Sequence, residues 1–223
     1  MIFYNKISIK VICSLLLIVV SSLSTVMCYH FFVLKDASNN DGDISAFREL
    51  SSKAVLNSPI NEGNSIVEVI SYGCHYCAIN DENVMSLTRE LPRGSVFKTI
   101  HIMDGNSGLS AYAPIFATLE YMGYEEKFRD KAYNAIITHG IDLSDERLLE
   151  KWLEKNGINI EQYKKARESK SVKSRINYMA AITKYYGINA TPVFIINKRY
   201  VMAQDRDFPE FAERMKQLLK EDK

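Results

Sequence analysis

Two cysteines separated by two residues, in the run Cys74-His75-Tyr76-Cys77, are the side chains here whose type and spacing suit redox chemistry. They follow a β-branched apolar stretch and open a segment with helical character. A helix start directs unpaired N–H groups and a positive partial charge at its first residue. A thiolate placed there is stabilised, and its pKa falls below the free value of about 8.5. Cys74 has that place; it is expected to be exposed and to form the mixed disulfide with a substrate. Cys77 lies one turn further in, better shielded, and is expected to resolve that disulfide. His75, if protonated, adds positive charge beside the thiolate. Stabilising the reduced form in this way makes the oxidised form a stronger oxidant.

Competing uses of the pair are weaker. A structural zinc site needs four ligands; there is no second such pair, and His101 and His139 lack ligand spacing. Neither a metal nor a cofactor is expected. An inert structural disulfide across two residues gains little chain entropy. The other two cysteines, Cys13 and Cys28, fall in an apolar N-terminal segment. One close pair in the rest of the chain fits a chemical role better than a disulfide framework.

The elements that must position the pair are legible on either side. Residues 65–72 read as a buried central strand, broken by Gly73, with a helix from Cys74 to about Glu90. Pro92-Arg93-Gly94 is a turn. Residues 95–102 read as a second strand, with Val96, Lys98, Ile100 and Ile102 on one face. A helical block follows: 109–121, 125–137, a third helix capped by Asp142 or Ser144 with the stripe Leu148, Leu149, Trp152 and Leu153, then 161–168. Its last helix carries Val172, Ile176, Met179, Ile182 and Tyr186. These stripes are core faces. Strands return at 193–196 and 200–202 around an Asn197-Lys198 turn. Asp207 with Glu210 makes a capping-box pattern ahead of a helix that buries Phe211, Met215, Leu218 and Leu219. Thr191-Pro192 immediately precedes an apolar strand, where a trans proline belongs at an edge or a strand start. A short strand is expected near Ala54 to Leu56. The order describes a small α/β sheet with an inserted helical subdomain.

The N-terminus stands apart. Lys6 and Lys10 precede residues 11–34, which contain no Asp, Glu, Lys or Arg. About 20 apolar residues span a bilayer as a helix, and the core of the stretch also fits a secretory signal. Ser22 and Ser24 are small enough to precede a cleavage point. Residues 1–34 are therefore a signal peptide or a membrane anchor, 35–60 a spacer, and 61–223 a domain with a helical insertion at about 105–187. Either targeting reading sends the domain across the membrane, since positive charge stays inside. Across 223 residues the net charge is +1, 47% are hydrophobic and 25% charged, and no basic stripe argues for nucleic acid.

On these motifs the chain resembles the DsbA family of periplasmic disulfide oxidoreductases. The resemblance lies in Ser71-Tyr72-Gly73-Cys74-His75-Tyr76-Cys77, the helical block, and the run from Gly187 through Thr191-Pro192 to Asn197, and covers roughly residues 50–220. It implies a thioredoxin fold with a helical insertion, a cis Pro192 facing Cys74, and a peptide-binding groove beside them. It also implies a role for Glu68, six positions ahead of Cys74, as a buried acid that modulates the thiol pKa and exchanges a proton with Cys77. A carboxylate inside an apolar strand is costly without a task or partner, and Lys98 on the neighbouring strand is the candidate partner. Two residues depart from the family's best-known oxidases: His-Tyr stands between the cysteines instead of Pro-His, and Thr191 instead of Val precedes the proline. Both departures bear on redox direction and leave the thiol chemistry intact.

The resemblance implies exchange of disulfides with cysteines of exported proteins. The domain then acts as an oxidase recharged by a DsbB-like membrane partner, or as a reductase or isomerase kept reduced by a DsbD-like donor. The polar residues 35–60 make a poor dimerisation module, which favours the oxidase. A non-catalytic peptide-binding assembly factor, held at the inner membrane by residues 11–34, is the reading from another class.

Overall fold

The computed structural model describes residues 15–17, 19–25, 27, 47–105 and 108–221. The chain divides into two units, residues 1–44 and 45–223. In the first, residues 15–17, 19–25 and 27 are helical. Among the described residues no helix is long and apolar enough to cross a membrane. Lys6, Lys10, Cys13, Cys28, most of the expected anchor and the loop at 39–43 lie outside the described residues.

The second unit is built on a five-stranded sheet in the order β1-β5-β4-β2-β3. Its strands are β1 (Phe47–Glu49), β2 (Ser65–Ile70), β3 (Val96–His101), β4 (Val193–Ile196) and β5 (Tyr200–Ala203). β2 runs parallel to β3 and antiparallel to β4, and β5 pairs antiparallel with both β4 and β1. All six residues of β2 are buried, Ser65 and Glu68 included, as a central strand covered on both faces should be. Alternation then separates two cores. Ile66, Phe194 and Ile196 pack with Val84 and Leu87 and with the Phe211, Met215, Leu218 and Leu219 stripe. Val67, Val69, Ile100, Val193 and Ile195 share the other core with Phe116, Met179 and Ile182.

The helices are α1 (Ser52–Leu56), α2 (His75–Glu90), α3 (Ala113–Tyr121), α4 (Glu125–Tyr133), α5 (Glu146–Lys155), α6 (Ile160–Arg167), α7 (Lys170–Tyr185) and α8 (Phe208–Glu221). α2 covers the connection from β2 to β3, as parallel strands require. Helices α3 to α7 form the insertion between β3 and β4. A 3-10 turn at Gly108–Tyr112 opens it, and α4 ends in a π turn at Asn134–Thr138.

Several local expectations are corrected. Residues 52–56 are a helix, capped by the Ser51 hydroxyl, and the additional strand is β1, which closes the sheet edge against β5. Residues 47–56 of the segment read as a spacer are thus structured. Asp145, not Asp142 or Ser144, caps α5, accepting from the N–H groups of Arg147 and Leu148; Asp142 instead turns to the N–H of Ser144. Asp207 contributes its backbone carbonyl to the Phe211 N–H, and no side-chain cap from it occurs among the described residues. The Asn197-Lys198 turn has both residues at positive φ, 51° and 63°, the geometry of a tight hairpin. Asn197 also accepts from the Ser65 N–H and donates to the carbonyls of Leu218 and Leu219, tying the turn to β2 and α8.

Candidate active site

β2 ends at Ile70, and the chain turns through Ser71, Tyr72 and Gly73 into α2. The Cys74 N–H donates to the Ser71 carbonyl at 2.9 Å, and the Ser71 hydroxyl donates to the Leu109 carbonyl at 2.8 Å, so the turn is held at both ends. Gly73 lets the turn approach Tyr112 closely: a Cβ there would lie 3.2 Å from the Tyr112 ring, which would have to shift by a few tenths of an ångström. Cys74 is the N-cap of α2, with φ −94° and ψ 111°. Its Sγ accepts from the Cys77 N–H at 3.1 Å, one of the donors a helix start leaves unpaired.

Cys74 is less open than expected. It is 6% exposed, against 2% for Cys77. The cause is the chain ahead of β4: the Cys74 thiol donates to the Thr191 carbonyl at 3.2 Å, and the Thr191–Pro192 peptide is cis. The order of access is as expected, with Cys74 the outer sulfur. Both cysteines are free thiols.

The two thiols are pushed in opposite directions. Cys74 is lowered to about 6, first by the hydrogen bond from the Cys77 thiol, then by Thr191 and by the N–H groups of Cys77 and Tyr76, with burial opposing. The Thr191 carbonyl, an acceptor, favours the protonated thiol, so that contact is lost when Cys74 ionises. Cys77 is raised far above the usual thiol range by burial, and further by its hydrogen bond to Cys74 and by the charge on Cys74. Paired groups driven apart in this way divide the acid and base roles.

His75 and Tyr76 are exposed, Tyr76 at 69%, and their rings meet edge-on at 6.3 Å. No hydrogen bond joins the His75 ring to Cys74 among the described residues.

Glu68 is 2% exposed and lies opposite Thr99 on β3 and Phe194 on β4. It therefore shares the face of β2 that α2 covers. Burial raises it to about 8; the charge of Arg129 and the Thr99 hydroxyl, which donates to it at 3.2 Å, pull the other way, and Asp81 and Glu125 push it further up. Lys98 is not its partner. Lys98 stands opposite Val67, on the other face of the sheet, and pairs with Glu62. The expectation failed on strand parity: adjacent positions on β3 point to opposite faces.

Sequence reasoning missed a buried polar group beneath the thiols. Arg129 on α4 bonds Asp81 on α2 at 3.1 Å and Glu125 at 2.9 Å, and the Tyr72 hydroxyl donates to Glu125 at 3.0 Å. Two spacings were available as signals: Asp81 is four residues past Cys77, and Glu125 with Arg129 is an i, i+4 pair. It also passed over His101 as more than a failed ligand. His101 is fully buried and pushed down to about 4 by that burial. Its Nε2 accepts the Tyr72 N–H at 3.0 Å, and its Nδ1 lies 2.9 Å from the Ile102 carbonyl. A neutral ring thus fixes the backbone two residues before Cys74.

This arrangement, a helix-capping cysteine under a cis-proline segment with α-helices inserted between two halves of the sheet, is matched by a known family. The DSBA-like thioredoxin domain matches residues 65–216. The chain belongs to that family. Among DSBA-like relatives, the thiol:disulfide interchange protein DsbA of Pseudomonas syringae pv. tomato is 27% identical over 135 residues, 60% of this chain and 63% of that protein. The DsbA of Azotobacter vinelandii is 29% identical over 136 residues, with the same shares. The chain thus spans less than two thirds of the length of these curated relatives. The crystal structure of Pseudomonas aeruginosa DsbA superposes with a TM-score of 0.71 at 19% identity, covering 79% of this chain and 92% of that one. A complex of Proteus mirabilis DsbA with the non-covalently bound peptide PWATCDS gives 0.64 at 20% identity, covering 80% and 99%. These likenesses establish the thioredoxin fold with its helical insertion.

Proposed function

We propose that this DSBA-like domain is a thiol–disulfide oxidoreductase that exchanges its Cys74–Cys77 disulfide with cysteines of exported proteins, chiefly as an oxidase. The observation that carries the reading is the placement of the two sulfurs: Cys74 caps α2 and accepts the Cys77 N–H at 3.1 Å, which helps to lower its pKa, while Cys77 lies buried behind it, 2% exposed, and burial raises its pKa.

A substrate thiolate attacks the Cys74 sulfur of the disulfide; the Cys74–Cys77 bond breaks and its electron pair goes to Cys77. A buried thiolate at Cys77 is costly, so Glu68, protonated near neutral pH, supplies a proton. A second substrate thiolate then attacks the substrate sulfur of the mixed disulfide, and Cys74 leaves as the thiolate its surroundings favour. The substrate dithiol loses two electrons and the cysteine pair gains them. At pH 7, ionising at about 6 instead of the free value stabilises the reduced form by about 1.4 kcal/mol. For a two-electron couple that is about 30 mV towards a stronger oxidant. The substrate chain lies beside Thr191 and Pro192, because the Thr191 carbonyl meets the Cys74 sulfur at 3.2 Å and the next peptide bond is cis; the Proteus mirabilis relative was solved with a non-covalently bound peptide. His75, exposed beside Cys74, adds positive charge when protonated.

On this reading the domain works in the periplasm, exported by residues 1–34 acting as a signal or an inner-membrane anchor, with the stretch from residue 35 to the start of β1 as the lead-in to the domain. A DsbB-like membrane partner reoxidises it. The test is the reduction potential against glutathione. A value near about −120 mV marks the oxidase, and one near about −270 mV marks a reductase supplied by a DsbD-like donor. Full biological activity of Cys74→Ser would support the non-catalytic peptide-binding factor and remove the enzyme.

A further inference from the structure

Arg129 is carried by the helical insertion, yet its contacts reach both flanks of the thiol pair. Its Nη1 meets Asp81 Oδ1 at 3.1 Å, and Asp81 follows Cys77 by one turn on α2. Its Nε meets Glu125 Oε1 at 2.9 Å, and the same oxygen accepts from the hydroxyl of Tyr72, which precedes Cys74 by two residues. The side chains of Arg129, Asp81 and Glu125 are only 12%, 11% and 7% exposed. A buried triad of this kind is weak support for stability, because apolar residues of the same volume serve packing as well or better. Two carboxylates against one guanidinium also leave an excess negative charge beneath α2.

Glu68 sits under the same helix. From β3 it meets the Thr99 hydroxyl; the charges that act on it are Arg129 and Glu125 from α4 and Asp81 from α2. Tyr133, at the end of α4, has a buried hydroxyl with no hydrogen-bond partner among the described residues and is raised by burial and by the charges of Cys77 and Glu68. Lys98 is turned to the opposite face. Arg129 is thus the one cation in this set.

We propose that Arg129 is a positioning residue for thiol exchange, supplying the positive charge against which Glu68 gives and takes its proton while holding both ends of the thiol turn through Tyr72 and Asp81. The inference rests on the proton-transfer role proposed for Glu68. Without Arg129, Asp81 and Glu125 face Glu68 uncompensated, so Glu68 keeps its proton to higher pH.

The experiment is the pH profile for reduction of the Cys74–Cys77 disulfide by a small dithiol, followed by stopped flow and divided at each pH by the dithiol's own thiolate fraction. In the parent the descending limb falls at the Glu68 ionisation, about 8. Arg129→Met is expected to move that limb alkaline by about 1 pH unit, the low end for loss of a nearby opposite charge. Arg129→Lys restores the charge and brings the limb back towards the parent. Because Arg129→Met strands two interior carboxylates, Asp81→Asn/Arg129→Gln is measured beside it; it removes one charge of each sign and should shift the limb the same way by less. The shift should vanish when Glu68→Gln is added. A limb unmoved in the folded Arg129 variants, while Glu68→Gln abolishes it, overturns this inference alone. A limb that survives Glu68→Gln overturns the proposed role of Glu68.

Discussion

Replacing Cys77 by alanine tests the electrostatics of the site more sharply than replacing Cys74, because it leaves the reactive sulfur in place. The Cys77 thiol is the largest influence holding Cys74 down to about 6. A hydrogen bond to a charged group is worth about 1.5–3 kcal/mol, and one pH unit corresponds to about 1.36 kcal/mol. Its loss should raise Cys74 by about 1–2 units, leaving the Cys77 N–H and Thr191 to supply the rest. At pH 7 the thiolate fraction would then fall from roughly nine-tenths to half or less. Ultraviolet absorbance of the thiolate, titrated in Cys77→Ala and in Cys77→Ser, reads this directly. The serine variant keeps a hydroxyl donor and should stay nearer the parent. If Cys77→Ala titrates at the same pH as the serine variant and the parent, the hydrogen bond between the sulfurs is not what makes Cys74 acidic. The same alanine variant should accumulate mixed disulfides with substrates, since nothing resolves them.

Three further outcomes follow from the same geometry. Thr191→Val removes a hydroxyl that favours the Cys74 thiolate, so the thiol midpoint should rise in the same titration, by less than in Cys77→Ala. Glu68 is raised from 4.5 to about 8 on folding, so the folded state holds the proton and stability falls as pH rises between those values. Chemical denaturation should therefore find Glu68→Gln more stable than the parent at pH 7, by on the order of 3 kcal/mol, with the difference gone near pH 4; equal stability at pH 7 would remove the buried-acid argument. His101 is lowered from 6.5 to about 4, so its contribution is present above pH 6.5 and lost as pH falls towards 4. Over that window His101→Gln should show a shallower loss of stability with acid than the parent.

Much of this was legible in the sequence because it depends on local pattern. The apolar run of β2, the break at Gly73 and the spacing of Cys74 and Cys77 each announce themselves within ten residues. The stripes of α5 and α7 give their faces by periodicity alone. What failed depends on pairing between distant segments. Lys98 and Thr99 are neighbours in sequence, and only the register of β3 against β2 shows that Thr99, not Lys98, faces Glu68. β1 is three exposed residues whose strand character comes from β5. The Tyr72–Glu125–Arg129–Asp81 group joins four positions from three segments, so no single window displays it. Cys74 is more covered than a helix start alone would make it, because the Thr191 carbonyl arrives from more than a hundred residues away.

The central claim is that one sulfur is an acidic thiolate and the other is held protonated behind it. Alkylation of the reduced protein across the pH range, with the modified cysteine identified by mass, tests it most directly. The expected result is reaction at Cys74 rising with a midpoint of about 6 and Cys77 unmodified while the protein stays folded. Two thiols reacting alike, with midpoints near the free value of about 8.5, would contradict it.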